Sequence, residues 1–189
     1  TAEAQALCAS SSGVRGVGID LTRPEESAAT IQRELDSEPA LDLLVHNASL
    51  YLPGGLGEVD LAQMRRMWAI HVESPLLLCQ TLEGRLRKAG GSVVFMGDVL
   101  AERPWKKYAA YCATKAAAAN LALSLASELA PQVRVNTVAP GVVQWPDDFA
   151  EEDRARYVRR VPLGRAGELQ DVVRAVLFLA REARYMTGQ

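Results

Sequence analysis

The chain has 189 residues, of which 49% are hydrophobic and 23% charged, and its formal net charge at pH 7 is -2. This composition is typical of one globular domain with a sizeable core, and it argues against nucleic acid or an anionic membrane as a partner. Three cysteines without a CxxC pair, the lack of an apolar run long enough to cross a bilayer and the lack of a visible signal peptide lead us to expect a cytoplasmic protein without a metal site.

Short apolar runs alternate with helical stretches in the first half of the chain. The run "VRGVGI" (14–19) predicts a strand, "RPEESAATIQREL" (23–35) a helix with an acidic start, and "LDLLVH" (41–46) a second strand. A long helix is predicted over 60–88, and Pro75 is expected to kink its middle.

The same rhythm continues in the second half. The runs "GSVVFMG" (91–97) and "QVRVNTVA" (132–139) predict strands on either side of a helix over 108–130. A polar stretch with prolines over 144–167 interrupts the pattern and is expected to form loops, and a last helix is predicted over 168–183.

Strands that alternate with helices predict an α/β fold, with a doubly wound parallel sheet in a single domain over 1–189. Such a sheet normally carries a glycine-rich phosphate-binding turn after its first strand, and no GxGxxG turn occurs here. The chain starts at Thr1 in a predicted helix and stops where a last strand would begin. We therefore expect the first βα unit and the last strand to lie outside this chain; the alternative is a fold that never had that turn.

The sequence "YCATK" places the phenol of Tyr111 and the amine of Lys115 on the same face of a helix, one turn apart. An ammonium beside a phenol favours the phenolate, so Lys115 is expected to lower the pKa of Tyr111 and to make it a usable acid. A half-buried tyrosine beside a lysine with a buried stem is the alternative, and this pair alone is a weak motif.

Polar and glycine residues follow three of the predicted strands. Asn47-Ala48-Ser49 follows the first of them, Asp98 the second and Pro140-Gly141 the third. Ligands of open α/β sheets bind beyond the carboxyl ends of the strands, so these residues are expected to converge near Tyr111. Together, "GIDLT", "HNAS", "YCATK", "RVNTVAPG" and "MTGQ" resemble the short-chain dehydrogenase/reductase family over essentially the whole chain.

That resemblance implies a Rossmann-like fold, a nicotinamide cofactor and a role for each matching position. Tyr111 would be the catalytic acid, and Lys115 would bind the nicotinamide ribose. Asp20 would meet the adenine ring, and Val142 would lie in the loop under the nicotinamide. The residues assigned to the cofactor are Asp20, Asn47, Ala48, Ser49, Lys115, Pro140, Gly141 and Val142.

Asp98 stands where most of this family has a serine that polarises a substrate carbonyl. A carboxylate does not stabilise a developing alkoxide, but it can bind and help to protonate a nitrogen heterocycle. Asp98 with Tyr111 and Lys115 resembles the pteridine reductases, and "HNASLY" would place Ser49 beside a pterin and Tyr51 stacked on it. The alternatives are that Asp98 only caps a loop and that Tyr51 only packs.

Three residues depart from the family pattern. His71 replaces an asparagine that helps to hold a water chain, and we expect a structural histidine there, with a proton relay as the alternative. His46 is also expected to be structural. Trp145 falls near a threonine that contacts the cofactor; it would wall the substrate pocket or only pack a loop. The resemblance implies that the stretch 144–167 is the substrate loop.

The function implied by the resemblance is NADPH-dependent reduction of a dihydropterin or dihydrofolate by a homotetramer. Hydride would go to a ring carbon, Tyr111 would supply the proton, and Trp145 would join Ser49, Tyr51 and Asp98 around the substrate. Two alternatives stay open: a carbonyl or alcohol oxidoreductase of the same family, and a non-catalytic nucleotide-binding module.

Overall fold

A computed structural model describes residues 12–145 and 149–189. Three strands, β1 (Leu43–His46), β2 (Ser92–Met96) and β3 (Arg134–Val138), form one parallel sheet in the order β1-β2-β3. The helix predicted to begin at Thr1 lies outside the described residues. The α/β class and the parallel sheet agree with the prediction from the alternating pattern.

The helices of the described residues, except the fifth, occur close to their predicted positions. They are α1 (Pro24–Glu34), α2 (Leu61–Trp68), α3 (Ser74–Ala89), α4 (Ala109–Leu129), α5 (Glu151–Val158) and α6 (Leu169–Arg181). Helix α5 lies in the stretch that was expected to form loops. Its eight residues carry three acidic side chains in the first turn, which favour a helix start but are a weak signal in a polar segment.

The predicted helix over 60–88 is continuous from α2 to α3, but a π-helical segment (Ala69–Glu73) joins the two. The predicted irregularity therefore lies just before Pro75. Proline has no N–H to donate to the carbonyl of His71 four residues earlier, so the α-helical ladder is broken there. The helix starts at Asp60, whose Oδ1 accepts the N–H of Ala62 at 2.9 Å.

Helices cover both faces of the sheet, as its strand pattern predicted. Val93 and Phe95 face α3 and α4, where they pack with Leu82 and Leu125, while Val94 faces α6. All three β2 residues are buried, and side chains of one strand alternate between the two faces. Packing in these two cores keeps the carboxyl ends of the strands next to the start of α4.

The strand predicted over 14–19 is wrong: this segment is irregular and mostly exposed. Apolar side chains alone do not make a strand, because its N–H and C=O groups need a neighbouring strand, and none of the described strands runs beside it. At the other end, Gly188 N–H bonds the Val135 carbonyl at 2.7 Å and Gln189 accepts from Thr137 N–H at 2.7 Å, so these residues lie along β3.

Candidate active site

The carboxyl edge of the sheet brings Asp98 and Tyr111 into contact. Asp98 follows β2, Tyr111 lies in the first turn of α4, and the Tyr111 hydroxyl donates to Asp98 Oδ2 at 2.7 Å. The other carboxylate oxygen, Oδ1, accepts the Leu100 N–H at 2.8 Å and caps a 3-10 turn over Val99–Ala101. Asp98 therefore caps a loop with one oxygen and accepts from Tyr111 with the other, while its contact with a heterocycle stays a prediction.

The pKa of Tyr111 lies above its ordinary value. Burial is the largest cause, followed by the hydrogen bond to Asp98 and its charge, whereas the Ser49 hydroxyl acts in the opposite direction. The net shift is opposite to the lowering expected from Lys115, because burial and the neighbouring carboxylate raise the pKa of Tyr111 and Lys115 is not among the main causes. A phenol in this environment stays protonated at neutral pH.

Lys115 is buried one turn further along α4. Its Nζ donates to the carbonyl of Met96 at 2.9 Å and lies 5.8 Å from the centre of the Tyr111 ring. Burial lowers the pKa of Lys115, and the charge of Asp98 opposes that shift. The three predicted catalytic residues, Asp98, Tyr111 and Lys115, therefore form one cluster between β2 and α4.

His71 joins the turn after β1 to helix α4. Its Nε2 lies 3.1 Å from the Leu50 nitrogen and 3.0 Å from Ser49 Oγ, and its Nδ1 lies 2.8 Å from Thr114 Oγ1. Burial, and then the charge of Lys115, lowers the pKa of His71 to about 4. Thr114 Oγ1 donates to the Tyr111 carbonyl at 2.7 Å, and a carbonyl passes no proton on, so the structural interpretation of His71 fits better than a relay.

His46 has the structural environment that was expected for it. Its Nε2 lies 3.3 Å from Cys79 Sγ, and its ring packs on Phe95 with centroids 4.6 Å apart. Burial lowers the pKa of His46 to about 4, so the ring is neutral at pH 7.

An aromatic pocket of about 290 Å³ opens in front of Asp98 and Tyr111. Among the described residues that line it, Asp98 is the only charged one. The aromatic side chains that line it are Tyr51, Trp105, Tyr111, Trp145, Phe149 and Tyr157. Flat apolar walls with one carboxylate favour a planar ligand with a hydrogen-bond donor.

Tyr51 and Trp145 stand at two sides of this pocket. One face of Tyr51 stacks on Tyr108 with centroids 4.6 Å apart, and its ring is perpendicular to that of Tyr111 at 4.8 Å. Trp145 packs against Phe149 at 5.4 Å. Tyr51 is therefore both packed and 38% exposed, and Trp145 lines the pocket as well as packing its loop.

Tyr157 of helix α5 binds the loop after β3, and no role had been predicted for this residue from the sequence. Val142 N–H donates to the Tyr157 hydroxyl at 3.1 Å, and a Cβ on Gly141 would lie 2.9 Å from that oxygen. Glycine is thus needed at 141 for the tyrosine to approach. A single tyrosine within the polar helix "EEDRARYV" was the sequence signal that could have predicted this contact. Pro140 accepts the Val99 N–H at 3.3 Å, which ties this loop to the turn after Asp98.

The other residues predicted for the cofactor lie along the same edge or near it. Asn47 and Ala48 are exposed after β1 and line a cavity of about 220 Å³. Asp20 is exposed before α1, and its Oδ1 accepts from the N–H and hydroxyl of Thr22, which lowers the pKa of Asp20. An exposed polar turn after β1 and the Lys115 ammonium at the end of β2 fit the nicotinamide half of a dinucleotide.

The described part of the chain shows neither a cluster of metal-binding side chains nor a helix suited to crossing a membrane. No group of three side chains of the metal-binding types comes together within residues 12–145 and 149–189. In the same residues, no helix combines the length and the apolar character that crossing a membrane requires.

Comparison with known proteins gives the following similarities. A family profile described as "Enoyl-(Acyl carrier protein) reductase" matches residues 1–189. The chain is 32% identical to "2-(S)-hydroxypropyl-CoM dehydrogenase 3" of Xanthobacter autotrophicus, over 99% of the chain and 78% of that protein. It is 31% identical to the 3-oxoacyl-(acyl-carrier-protein) reductase of Vibrio cholerae, over 93% of the chain and 74% of that protein. It is 34% identical to "Dihydromonapterin reductase" of Shigella boydii, over 77% of the chain and 60% of that protein.

Proposed function

Since the chain belongs to the short-chain dehydrogenase/reductase family of oxidoreductases, we propose that it catalyses the NADPH-dependent reduction of a dihydropterin or dihydrofolate. The observation that carries the proposal is the 2.7 Å hydrogen bond from Tyr111 to Asp98 inside an aromatic pocket. Similarity to a dihydromonapterin reductase supports a pteridine, although relatives with other substrates are equally similar.

The polar groups of the pocket suit a nitrogen heterocycle better than a ketone. A ketone oxygen needs donors where its negative charge develops, and the Asp98 carboxylate would repel that charge. A pterin ring presents N–H groups, which a carboxylate accepts well. The planar bicyclic ring also matches walls built from Tyr51, Trp105 and Trp145.

Reduction of a ring C=N bond adds a hydride at carbon and a proton at nitrogen. NADPH supplies the hydride when it is bound. Tyr111, which is protonated at neutral pH, would give its proton to the ring nitrogen. Lys115, with Nζ 5.8 Å from the ring centre, would stabilise the tyrosinate that forms, and Asp98 would hold the heterocycle.

The cofactor and the assembly are part of the proposal. We assign the cofactor to Lys115, to Asp20, to the turn 47–49 and to the loop 140–142, with NADPH preferred over NADH by resemblance to the family. A homotetramer in the cytoplasm is likewise inferred from the family. The exposed Leu76 of α3 and Leu123 of α4 are compatible with helix contacts between subunits.

The test is NADPH oxidation by the complete protein with dihydrobiopterin and with dihydrofolate. Tyr111→Phe and Asp98→Asn should each lower kcat by about a hundredfold or more, since each removes a group of the proton-donating pair. Asp60→Asn, which removes a comparable carboxylate cap outside the pocket, serves as the control and should keep full activity.

The second candidate is a carbonyl or alcohol oxidoreductase, which the similarity to a 2-(S)-hydroxypropyl-CoM dehydrogenase favours. It predicts no pterin turnover, activity on a ketone, and equal or higher ketone activity in Asp98→Ser. Inactivity on both substrate classes together with tight NADPH binding would point instead to a non-catalytic nucleotide-binding module.

A further inference from the structure

The pocket in front of Asp98 and Tyr111 surrounds one negative charge with aromatic rings. Six of the fourteen described residues that line it are aromatic, and none of the fourteen is a lysine, an arginine or a histidine. A ligand that enters the pocket therefore meets a carboxylate and the π-electrons of several rings, but no positive side chain of the described residues.

The charge of Asp98 has no positive partner in the part of the chain that the structure describes. Its two oxygens accept from neutral donors, the Tyr111 hydroxyl at 2.7 Å and the Leu100 N–H at 2.8 Å, and the ion pairs of the described residues do not include it. The Lys115 ammonium donates instead to the Met96 carbonyl at 2.9 Å and does not line the pocket. A carboxylate in a largely apolar cavity favours a cation beside it, since pairing offsets the loss of water.

The aromatic rings supply a second attraction for a cation. Tyr157 meets Trp105 at 5.6 Å and Trp145 at 5.5 Å, with interplanar angles of 70° and 90°, so the walls of the pocket turn in different directions. The face of an aromatic ring carries a negative potential that attracts cations, most strongly in tryptophan. Trp145 already binds a cation in this way, because the Arg154 guanidinium lies 5.8 Å from its ring centre. Within residues 12–145 and 149–189 no cationic group lies over Trp105, which leaves that ring for a ligand.

We propose that this pocket binds the positively charged form of a nitrogen heterocycle more tightly than the neutral form, with Asp98 as its counter-charge and Trp105 as an aromatic wall. The charge of the ring would gain Coulomb attraction from the carboxylate and cation–π attraction from the tryptophan. The identity of the ring as a pteridine rests on the proposed function, whereas the preference for a cation is a property of the pocket itself.

This preference would assist the proposed reaction. When Tyr111 gives its proton to the imine nitrogen of the ring, its O–H bond breaks, an N–H bond forms and the ring becomes a cation. Hydride from the dihydronicotinamide cofactor then forms a C–H bond at the adjacent carbon, and the product is a neutral amine. A pocket that stabilises the cation favours the species that accepts hydride over both the neutral substrate and the neutral product.

The charge preference can be measured without a pteridine. N-methylquinolinium and 1-methylnaphthalene are flat bicyclic molecules of nearly the same shape, and only the first is a cation. Each is titrated by NMR into the complete protein with NADPH present, and the indole N–H of Trp105 and the backbone N–H of Gly141 report binding in the pocket. The cation should bind at least about tenfold more tightly. A pocket that recognised only flat apolar shape would prefer the hydrocarbon, whose transfer from water is more favourable.

Two variants separate the two attractions. Asp98→Asn keeps the shape of the side chain without its charge, and it should lower the preference for the cation to less than about threefold. Trp105→Leu keeps an apolar wall without a π-face, and it should weaken binding of the cation by about threefold while binding of the hydrocarbon changes by less than about twofold. The matched controls are Asp60→Asn and Trp68→Leu, which lie outside the pocket at the start and the end of α2 and should keep the preference.

The outcomes separate this inference from the proposed function. A hydrocarbon that binds as tightly as the cation, a cation that does not bind in the pocket, or a full preference in Asp98→Asn would each overturn the inference. Absence of pteridine turnover with the cation preference intact would reject the proposed reaction and leave a pocket that selects cations. Turnover of a dihydropterin without the preference would reject this inference alone.

Discussion

The Tyr111 hydroxyl donates to Oδ2 of Asp98, thirteen residues earlier in the chain, across 2.7 Å. One residue follows a strand and the other begins a helix, so the contact exists only once the sheet and α4 have packed together. It also couples the ionisation of the two groups, because a proton lost from the phenol would leave two negative charges side by side.

Replacing Asp98 should therefore change the acidity of Tyr111. In Asp98→Asn the pKa of Tyr111 should fall, because the carboxylate charge is gone, but it should stay above the ordinary tyrosine value since burial is the larger cause. Ultraviolet titration of tyrosinate, with Tyr111→Phe subtracted, measures this. Asp60→Asn should leave the titration unchanged, and an unaltered Tyr111 in Asp98→Asn would contradict the coupling.

The bond between Tyr157 and the loop after β3 should matter for binding. Tyr157→Phe removes the acceptor of the Val142 N–H, which costs on the order of 1 kcal/mol, or about fivefold in affinity if that loop contacts the cofactor. The Kd for NADPH, measured by fluorescence, should rise accordingly. The exposed Tyr185→Phe is the control, and equal affinities in both variants would show that the bond has no role in binding.

Adding a methyl group at Gly141 should also break the hydrogen bond between the Val142 N–H and the Tyr157 hydroxyl. In Gly141→Ala the new Cβ would lie 2.9 Å from the Tyr157 hydroxyl, so the tyrosine must move away. Gly141→Ala and Tyr157→Phe should thus weaken NADPH binding to similar extents, and the double variant should be no weaker than either. Fully additive losses in this double-mutant cycle would contradict the shared mechanism.

Acid should destabilise the fold through His71. Its pKa is about 4 when folded and 6.5 is its ordinary value, so the unfolded chain binds more protons between these pH values. Stability is complete above pH 6.5 and is lost as pH falls toward 4, with His71 contributing about 2 kcal/mol of that loss by pH 5. Urea unfolding at pH 7, 6 and 5 measures it. His71→Gln should have a shallower pH dependence than the parent chain, and an equal dependence would refute this origin.

The local patterns predicted the sheet and the edge at which the site forms. Each of the three observed strands lies within a segment predicted to be a strand, and their ends place Ser49, Asp98 and Gly141 on one side because parallel strands share a direction. The segment 14–19 has a similar composition and is no strand, since pairing depends on a neighbour that local sequence does not encode.

The electrostatics of the site were harder to predict. The spacing of Tyr111 and Lys115 correctly placed them on one helix face, but the effect on the phenol depends on burial and on Asp98, which are properties of the folded core. Likewise, the hydrogen bond of Tyr157 joins residues 15 positions apart through the geometry of a loop. Spacing predicts which groups are neighbours, whereas their depth and their partners come from tertiary packing.

The π-helical segment divides one continuous helix into two halves that pack in different hydrophobic clusters. On its amino-terminal side, Met67 packs with Tyr111 under the pocket, and on its other side Leu82 and Leu86 belong to the main core. His71 sits at the junction of the two. Deleting one residue within 69–73 would restore regular α-helical pitch and rotate one half against the other by about 100°. This helix should therefore accept many substitutions during evolution but almost no change in its length.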